Sequence, residues 1–449
     1  MKRKIISGIF GLCIADAVGV PFEFRSRESL VHAPATDMCG YGTYTQPPGT
    51  WSDDTTMTLC LLDSLSNGLD YADIMQKFLS WLEDAKYTPH NEVFDVGRTS
   101  REAVSRFAKG VPPLSCGGTS EHDNGNGSLM RILPLAFYLH SRFGKDFFEN
   151  EEAVAIIHNV SALTHAHKRS QIACGIYLSI AEMLLGGTQL EYAFDLGIDR
   201  AWKYYSKRTE YAGELKYYER IHEPDFAAIP ENQIKSSGYV VDTLESALWC
   251  LLNTDSYETC VLKAVNLGED TDTTAAVAGG LAGMYYGYDA IPRRWRDKIA
   301  KAEYLTGLCT TFYNSLNRIG FEKISAYISY FETTDAKSIC HWKGGEATGN
   351  GSYTMPYPVY ENRLLQFIED ASNSGLMDYT YMETLQKYGL AMNDSLAAQI
   401  ETADLFLTKA ILTCYIRQER FCDGLWGKAA GEGTFLALLK RLKTLLADS

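Results

Sequence analysis

Two acidic runs stand far apart in the chain. GTWSDDTTMTL (49–59) carries Ser52, Asp53 and Asp54, and GEDTDTTAAVAGG (268–280) carries Glu269, Asp270, Asp272 and Thr273. Each opens an apolar helical pattern. Ser and Asp are favoured helix caps, and acids suit the positive helix start. Capping therefore accounts for part of each run but does not require the whole set. Clustered carboxylates repel one another unless a cation or protons compensate them. Carboxylate and hydroxyl oxygens without a Cys/His set disfavour zinc and suit magnesium or manganese. If the two helix starts face each other, their oxygens converge on a site able to hold a pair of ions, an arrangement used for metal-assisted hydrolysis.

Three further stretches are polar where a helical protein is ordinarily bland. DNGNGSLMRILPLAF (123–137) is a Gly/Asn loop running into an apolar helix, and its amides suit a phosphate. GNGS recurs at 349–352 with no helix start directly after it, so that copy is discounted. LTHAHKRS places His165 and His167 before a helix, where the ordinary reading is a cap or a satisfied core histidine. ADAVGVPFEF sets Glu23 among apolar and aromatic residues, where burial would raise its pKa; a surface loop glutamate is the alternative.

The elements that must position these residues are helices. DDTTMTLCLLDSLSNG has Met57, Cys60, Leu61 and Leu65 on one face and Gly68 as its stop, and TSREAVSRFAKG repeats the scheme to Gly110. KRSQIACGIYLSIAEMLLGG and DTLESALWCLLNT are helical as well. Ala275, Gly279 and Gly283 form a small-residue stripe, which predicts a second helix packed very close to it. Strand signals are few, so the expected fold class is all-α: one domain over 1–335, a linker over 336–358 marked by the Gly/Pro/Tyr-rich HWKGGEATGNGSYTMPYPVY, and a smaller helical module over 359–449.

The 449 residues are 46% hydrophobic, enough for more than one core. A net charge of −14 repels phosphate backbones and argues against non-specific nucleic-acid binding, while bound metal would still admit an anionic substrate. The eleven cysteines include no CxxC pair and are odd in number, reading as reduced thiols of a cytoplasmic protein. MKRKIISGIFGLCIADAVGV imitates a signal peptide, but Asp16 interrupts it and no cleavage site follows, so a first core helix is expected. No uninterrupted apolar run is read as long enough to span a membrane, and no membrane association is expected.

In order, GLCIADAVGVPFEF, GTWSDDTTM, FDVGRT, GNGSLMR, THAHKRS, GYVVDTLESALW and NLGEDTDTTAAVAGGLAGMYYG resemble the ADP-ribosylglycohydrolases over roughly residues 4–325. The resemblance implies an all-α fold around two magnesium, sometimes manganese, ions. It assigns Ser52, Asp53 and Asp54 as ligands from one side and Asp270, Asp272 and Thr273 from the other. Ser52 stands where the family more often has threonine, and the hydroxyl is kept. Ala15 replaces a usual glycine before Asp16, a change that bears on helix packing. By the same resemblance Glu23 lies on a mobile loop as acid/base or metal contact, and Asp95 matches a carboxylate acting as base in some members. Asn126, Gly127 and Ser128 match the loop for the ADP-ribose phosphates and distal ribose, and His165 matches a ligand contact. The implied reaction is hydrolysis at C1″ of the distal ribose, releasing ADP-ribose from a protein side chain or small-molecule acceptor. The acceptor itself is left open.

Two alternatives remain at this stage: a catalytically silent ADP-ribose-binding or regulatory protein on the same scaffold, and a hydrolase of another ribosyl or phosphoryl compound. RQERFCDGLWGKAAGEGTFLALLKRL (417–442) resembles an uncharacterised module found alone or behind such hydrolases, mostly in bacteria. Its Arg417, Arg420, Asp423 and Trp426 offer an edge for a partner or form a plain surface loop.

Overall fold

Glycines one helical turn apart decide how the centre is built. In the computed structural model, which describes residues 1–346, 354–392 and 395–447, the helix Thr271–Tyr286 lies against the first helix, Lys2–Gly19. The expected small-residue stripe is the seam. A Cβ on Gly11 would stand 2.4 Å from the Gly279 carbonyl oxygen, and one on Gly283 would stand 2.2 Å from that of Ser7. Ala15 faces Gly279, so the residue that departs from the family glycine sits on this seam. At the end of the first helix, a Cβ on Gly19 would lie 2.4 Å from the Asp272 Cα, which brings the two chain segments together at the acidic run.

The first helix corrects one expectation. By length and composition Lys2–Phe22 is apolar enough to cross a membrane, contrary to the reading of its sequence. In the fold 94% of that window is buried within the protein, which is the state of a core helix. Asp16 falls in the middle of this apolar surface and finds hydrogen-bond partners there, so it does not break the helix.

The chain divides into two compact units, 1–140 with 145–313 and 141–144 with 314–449. The first contains the expected helices Asp53–Leu65, Arg98–Ala108, Lys168–Leu185 and Val240–Leu252. The second corrects the expected boundary at 335. Ile324, Tyr327 and Phe331 share one core with Leu364, Phe367, Phe435 and Leu438, because this stretch carries the apolar face that the C-terminal helices cover. The division falls inside the helix Ala302–Ser325, whose unbroken helical period hides it from a sequence reading.

The segment expected to be a linker contains paired strands. Cys340–Lys343 pairs antiparallel with Tyr357–Tyr360, with Cys340 opposite Tyr360 and Lys343 opposite Tyr357. Cys340 and Trp342 pack on Gly427 and Gly424, where any larger residue would collide. The second GNGS copy lies outside the described residues. Trp426 of the proposed edge turns inward: its indole donates to the Ile416 carbonyl at 3.0 Å and its ring lies 5.5 Å from Tyr360. Arg417 stacks over Tyr379, while Arg420 and Asp423 are exposed.

The seam yields a stability prediction. Gly279→Ala would force its methyl against Ala15 and the Gly11 carbonyl, and overpacking of this kind costs roughly 1–3 kcal/mol. Gly213→Ala, at a helical glycine with nothing within 4 Å, is expected to leave stability unchanged or raise it slightly. Thermal melts of the two variants check the contrast; equal melting temperatures would contradict the packing account.

Candidate active site

The two acidic runs meet. Ser52 caps its helix by accepting from the Asp54 amide, which leaves the side chains of Asp53 and Asp54 free to project from the first turn. Asp270 occupies the cap position of the facing helix, yet its side chain makes no cap bond. The Thr273 hydroxyl donates to Asp54 Oδ2 at 3.2 Å, joining the two helix starts directly. One oxygen each of Asp16, Asp54 and Asp272 lie within 4.8 Å of one another, and so do those of Glu23, Asp95 and Asp272. Asp272 is thus common to two carboxylate groups. Glu269, part of the acidic run, is exposed and does not join them; only its backbone takes part, pairing with Phe24 (2.7 Å) and Arg25 (2.8 Å).

Glu23 follows the short turn Val20–Phe22 and is 5% exposed, which rules out a free surface glutamate. Its turn is tied on the other side as well: Thr43 donates its amide to Pro21 and its hydroxyl to the Glu23 carbonyl. Tyr44, on the same loop, lies beside Glu23 and Asp95. Its ring lies between Phe24 and Phe94, at 6.4 and 4.9 Å. Phe24, Tyr41, Thr45, Tyr87, Asn91, Asp95 and Glu269 all have φ between 49° and 72°. Such backbone costs of order 1–3 kcal/mol per residue and persists where the surroundings over-determine it. Here it concentrates on the loops that aim the acids. Asp53 lines a shallow cleft with Trp51, Trp81, Pro89, Glu92 and Phe94.

The Gly/Asn loop closes another side. Asn126 Nδ2 donates to Asp270 Oδ2 at 2.9 Å and to Thr243 Oγ1 at 3.0 Å. The loop backbone is pinned by Asn126 N to Gly238 O and by Val240 N to Asn124 O. Arg131, fully buried, donates to the Gly127 carbonyl and to that of Val160. Gly127 lies on the His165 ring: a Cβ there would come within 2.8 Å of His165 Cε1. His165 is 2% exposed, and Thr164 Oγ1 holds its Nδ1 at 2.8 Å. Burial lowers its pKa to about 3, so the ring is neutral. His167 instead caps Lys168–Leu185, the ordinary reading of that residue. The Ser128 side chain does not face the acids. Its hydroxyl accepts from Ser161 at 3.0 Å and Cys174 at 3.6 Å, inside the core.

Two site residues escape a reading by motif. Asp16 accepts from the amides and hydroxyls of Ser52 and Thr55. Its signal was a lone acid inside an apolar helix, since a buried charge needs partners. Tyr44 lies in an irregular loop whose spacing carries no signal.

Burial is the first cause of every carboxylate shift here, and neighbouring carboxylates add to it at Glu23, Asp53, Asp54, Asp270 and Asp272. Glu23 is pushed up to about 9 by burial and then by Asp95. Asp53, Asp54 and Asp272 are raised well above their ordinary range. Asp95 is raised by burial, an effect offset by the polar groups of Tyr44, Asp272 and Glu23 beside it. Asp16 and Asp270 rise to about 6. Four buried carboxylate oxygens have no partner: Glu23 Oε2, Asp54 Oδ1, Asp270 Oδ1 and Asp272 Oδ2. Unpaired buried carboxylates are costly, and an all-oxygen donor set fits a hard divalent cation. These residues can therefore hold metal.

The fold and the site define an all-α enzyme with a carboxylate-lined centre between two facing helix starts. The ADP-ribosylglycohydrolase family profile matches residues 1–319, and a family of unknown function (DUF6508) matches residues 317–448. The chain is 32% identical over 312 residues to ADP-ribosylarginine hydrolase Tri1 of Serratia proteamaculans, covering 69% of this chain and 79% of that protein. It is 31% identical over 300 residues to the ADP-ribosyl-dinitrogen reductase glycohydrolase of Rhodospirillum rubrum, covering 66% and 90%. A solved structure, an ADP-ribosylglycohydrolase-related protein complex, superposes with a TM-score of 0.57 at 28% identity and covers 70% of this chain and 98% of that one. The chain belongs to the ADP-ribosylglycohydrolase family.

The raised carboxylates set a pH dependence. Between about pH 4 and the raised values, the folded protein retains protons that the unfolded chain has released. Stability present at low pH is therefore lost as pH rises towards about 6 for Asp16 and Asp270 and about 9 for Glu23. In chelator, the melting temperature is expected to fall between about pH 5 and 9, and Mg²⁺ or Mn²⁺ is expected to restore more of it at the alkaline end. A flat or rising melting temperature in chelator would contradict this.

Proposed function

We propose that the protein is a metal-dependent hydrolase that removes ADP-ribose from a modified protein side chain or small-molecule acceptor by cleaving the bond at C1″ of the distal ribose. The observation that carries this reading is the gathering within 4.8 Å of carboxylate oxygens of Asp16, Asp54 and Asp272, and of Glu23, Asp95 and Asp272, beside buried oxygens of Glu23, Asp54, Asp270 and Asp272 that have no partner. Curated relatives are named as ADP-ribosyl hydrolases, the fish ADP-ribosylhydrolase ARH3 of Danio rerio among them at 27% identity.

Asp53, Asp54, Asp270 and Asp272, with the hydroxyls of Ser52 and Thr273, would hold two Mg²⁺ or Mn²⁺ ions, and Glu23 and Asp95 stand beside Asp272 as further oxygen donors. When bound, the metal supplies orientation of the distal ribose hydroxyls and stabilisation of charge developing on the sugar. The protein's own groups do the rest. Asn126 fixes Asp270 and presents the Gly/Asn loop to the phosphates of the substrate. The neutral His165 backs Gly127, where a larger residue would block the loop's approach. Glu23 and Asp95, whose carboxylate oxygens lie within 4.8 Å of each other, form the acid/base pair: one protonates the leaving group or activates water while the other carries the opposite charge state. Burial of the set excludes bulk water and strengthens each interaction.

The test is hydrolysis of arginine-, serine-, acetyl- and nucleic-acid-linked ADP-ribose by the full chain. At least one linkage is expected to release ADP-ribose in the presence of Mg²⁺ or Mn²⁺. The Asp53→Ala/Asp270→Ala double variant is expected to lose at least about 100-fold in rate, in line with loss of a charge-stabilising group. Full activity of that variant overturns the reading. Binding of ADP-ribose with no turnover of any linkage supports a silent binding protein instead.

A further inference from the structure

Asp16 is the most completely hydrogen-bonded carboxylate in the site. It is 0% exposed on the apolar first helix. Its Oδ1 accepts from the Ser52 amide at 3.0 Å and the Ser52 hydroxyl at 2.9 Å. Its Oδ2 accepts from the Thr55 amide at 3.1 Å and the Thr55 hydroxyl at 2.6 Å, with a second approach from the Ser52 amide at 3.1 Å. These donors flank Asp53 and Asp54 on both sides. Asp16 therefore grips the turn that aims both acids, and the grip runs through a helix locked to Thr271–Tyr286 at Gly11 and Gly279.

The Ser52 hydroxyl has one proton and two lone pairs. It lies 2.9 Å from Asp16 Oδ1 and also 2.9 Å from Asp54 Oδ2, so only one of these carboxylates receives the proton. If Asp54 took it, the hydroxyl would spend its proton on a carboxylate whose other oxygen is unpartnered. If Asp16 takes it, one Ser52 lone pair accepts the Asp54 amide and the other is left on the Asp54 side.

Resting on the reading of the site as a metal centre, we infer that Asp16 is its positioning residue: it takes the Ser52 proton, leaves the Ser52 lone pair that the Asp54 amide does not use for the cation, and clamps the Asp53–Asp54 turn through Thr55. Asp16 is not a ligand itself. Its oxygens lie near those of Asp54 and Asp272, but their acceptor capacity is filled by backbone and hydroxyl donors. Groups that orient ligands in this way affect metal affinity by about 10–100-fold.

The test is Mn²⁺ binding by the full chain without substrate, followed calorimetrically and by electron paramagnetic resonance, at a temperature where each variant is folded. Asp16→Asn keeps the shape but replaces one acceptor oxygen with a donor. It is expected to weaken Mn²⁺ binding by about 10–100-fold. Ser52→Ala is expected to weaken it too, and the double variant Asp16→Asn/Ser52→Ala to bind no worse than the weaker single variant, because both act through one hydroxyl. Thr55→Val removes a donor from Asp16 without touching any ligand, so it remains informative if Asp16→Asn does not fold. Its expected effect is a loss of several-fold. If Asp16 were a ligand, freeing its oxygen would leave binding unchanged or tighten it. Unchanged or tighter Mn²⁺ binding in Thr55→Val, unchanged binding in Asp16→Asn, or losses that multiply in the double variant would overturn the assignment alone. A wild-type chain that binds no Mn²⁺ would overturn the metal centre and this assignment together.

Discussion

The backbone contact between the helices Lys2–Gly19 and Thr271–Tyr286 is the constraint on which the first unit rests. Gly11, Gly279 and Gly283 let the two helices approach until carbonyl oxygens occupy the space of missing side chains. That approach puts Gly19 on the backbone of Asp272 and lets Thr271 donate to the Gly19 carbonyl at 2.8 Å. The end of one helix and the start of the other are thereby fixed in register. One turn before Gly19, Asp16 reaches the Ser52–Thr55 turn, so the same contact sets the position of the third helix, Asp53–Leu65.

That arrangement has an electrostatic consequence. It concentrates Asp16, Glu23, Asp53, Asp54, Asp95 and Asp272 where burial raises every pKa and repulsion raises those of Glu23, Asp53, Asp54 and Asp272 further. Hydrogen bonds relieve some of the group: Asp16 through Ser52 and Thr55, Asp270 through Asn126. The unpartnered oxygens mark where relief is missing. Backbone strain follows the same map, since Phe24, Asp95 and Glu269 hold left-handed conformations on the loops that deliver or brace the acids. A scaffold that maintains strain and unpaired charge in one place is arranged for function there, at a cost in stability.

Much of this was legible in the sequence because it is carried by spacing. The acidic runs stand at helix starts, the Gly/Asn loop precedes an apolar helix, and the small-residue stripe foretold a close helix partner that proved to be the first helix. What was not legible depends on single residues or on long-range packing. Asp16 lies within GLCIADAVGVPFEF but that stretch gives it no role; only its partners, 36 and 39 residues away, reveal one. Tyr44 sits in irregular chain. Ser128 belongs to the right loop, yet its side chain turns to Ser161 and Cys174, because a loop's sequence does not set the direction of each residue. The unit boundary was placed late because a continuous helix gives no break in pattern where its packing partners change. Lys2–Phe22 shows the converse: length and apolarity alone do not distinguish a core helix from a membrane span, whereas burial within the fold does.

The second unit has its own core and a two-stranded sheet, and it corresponds to a family of unknown function, so the account of chemistry rests on the first unit alone. Its central claim is that the carboxylates converge in order to hold divalent cations. Anomalous diffraction from crystals of the full chain grown with Mn²⁺ tests this most directly. The account predicts manganese peaks among Asp54, Asp272 and the Glu23–Asp95 pair, with Asp16 still bound to Ser52 and Thr55. Ordered carboxylates with no anomalous peak between them would contradict it.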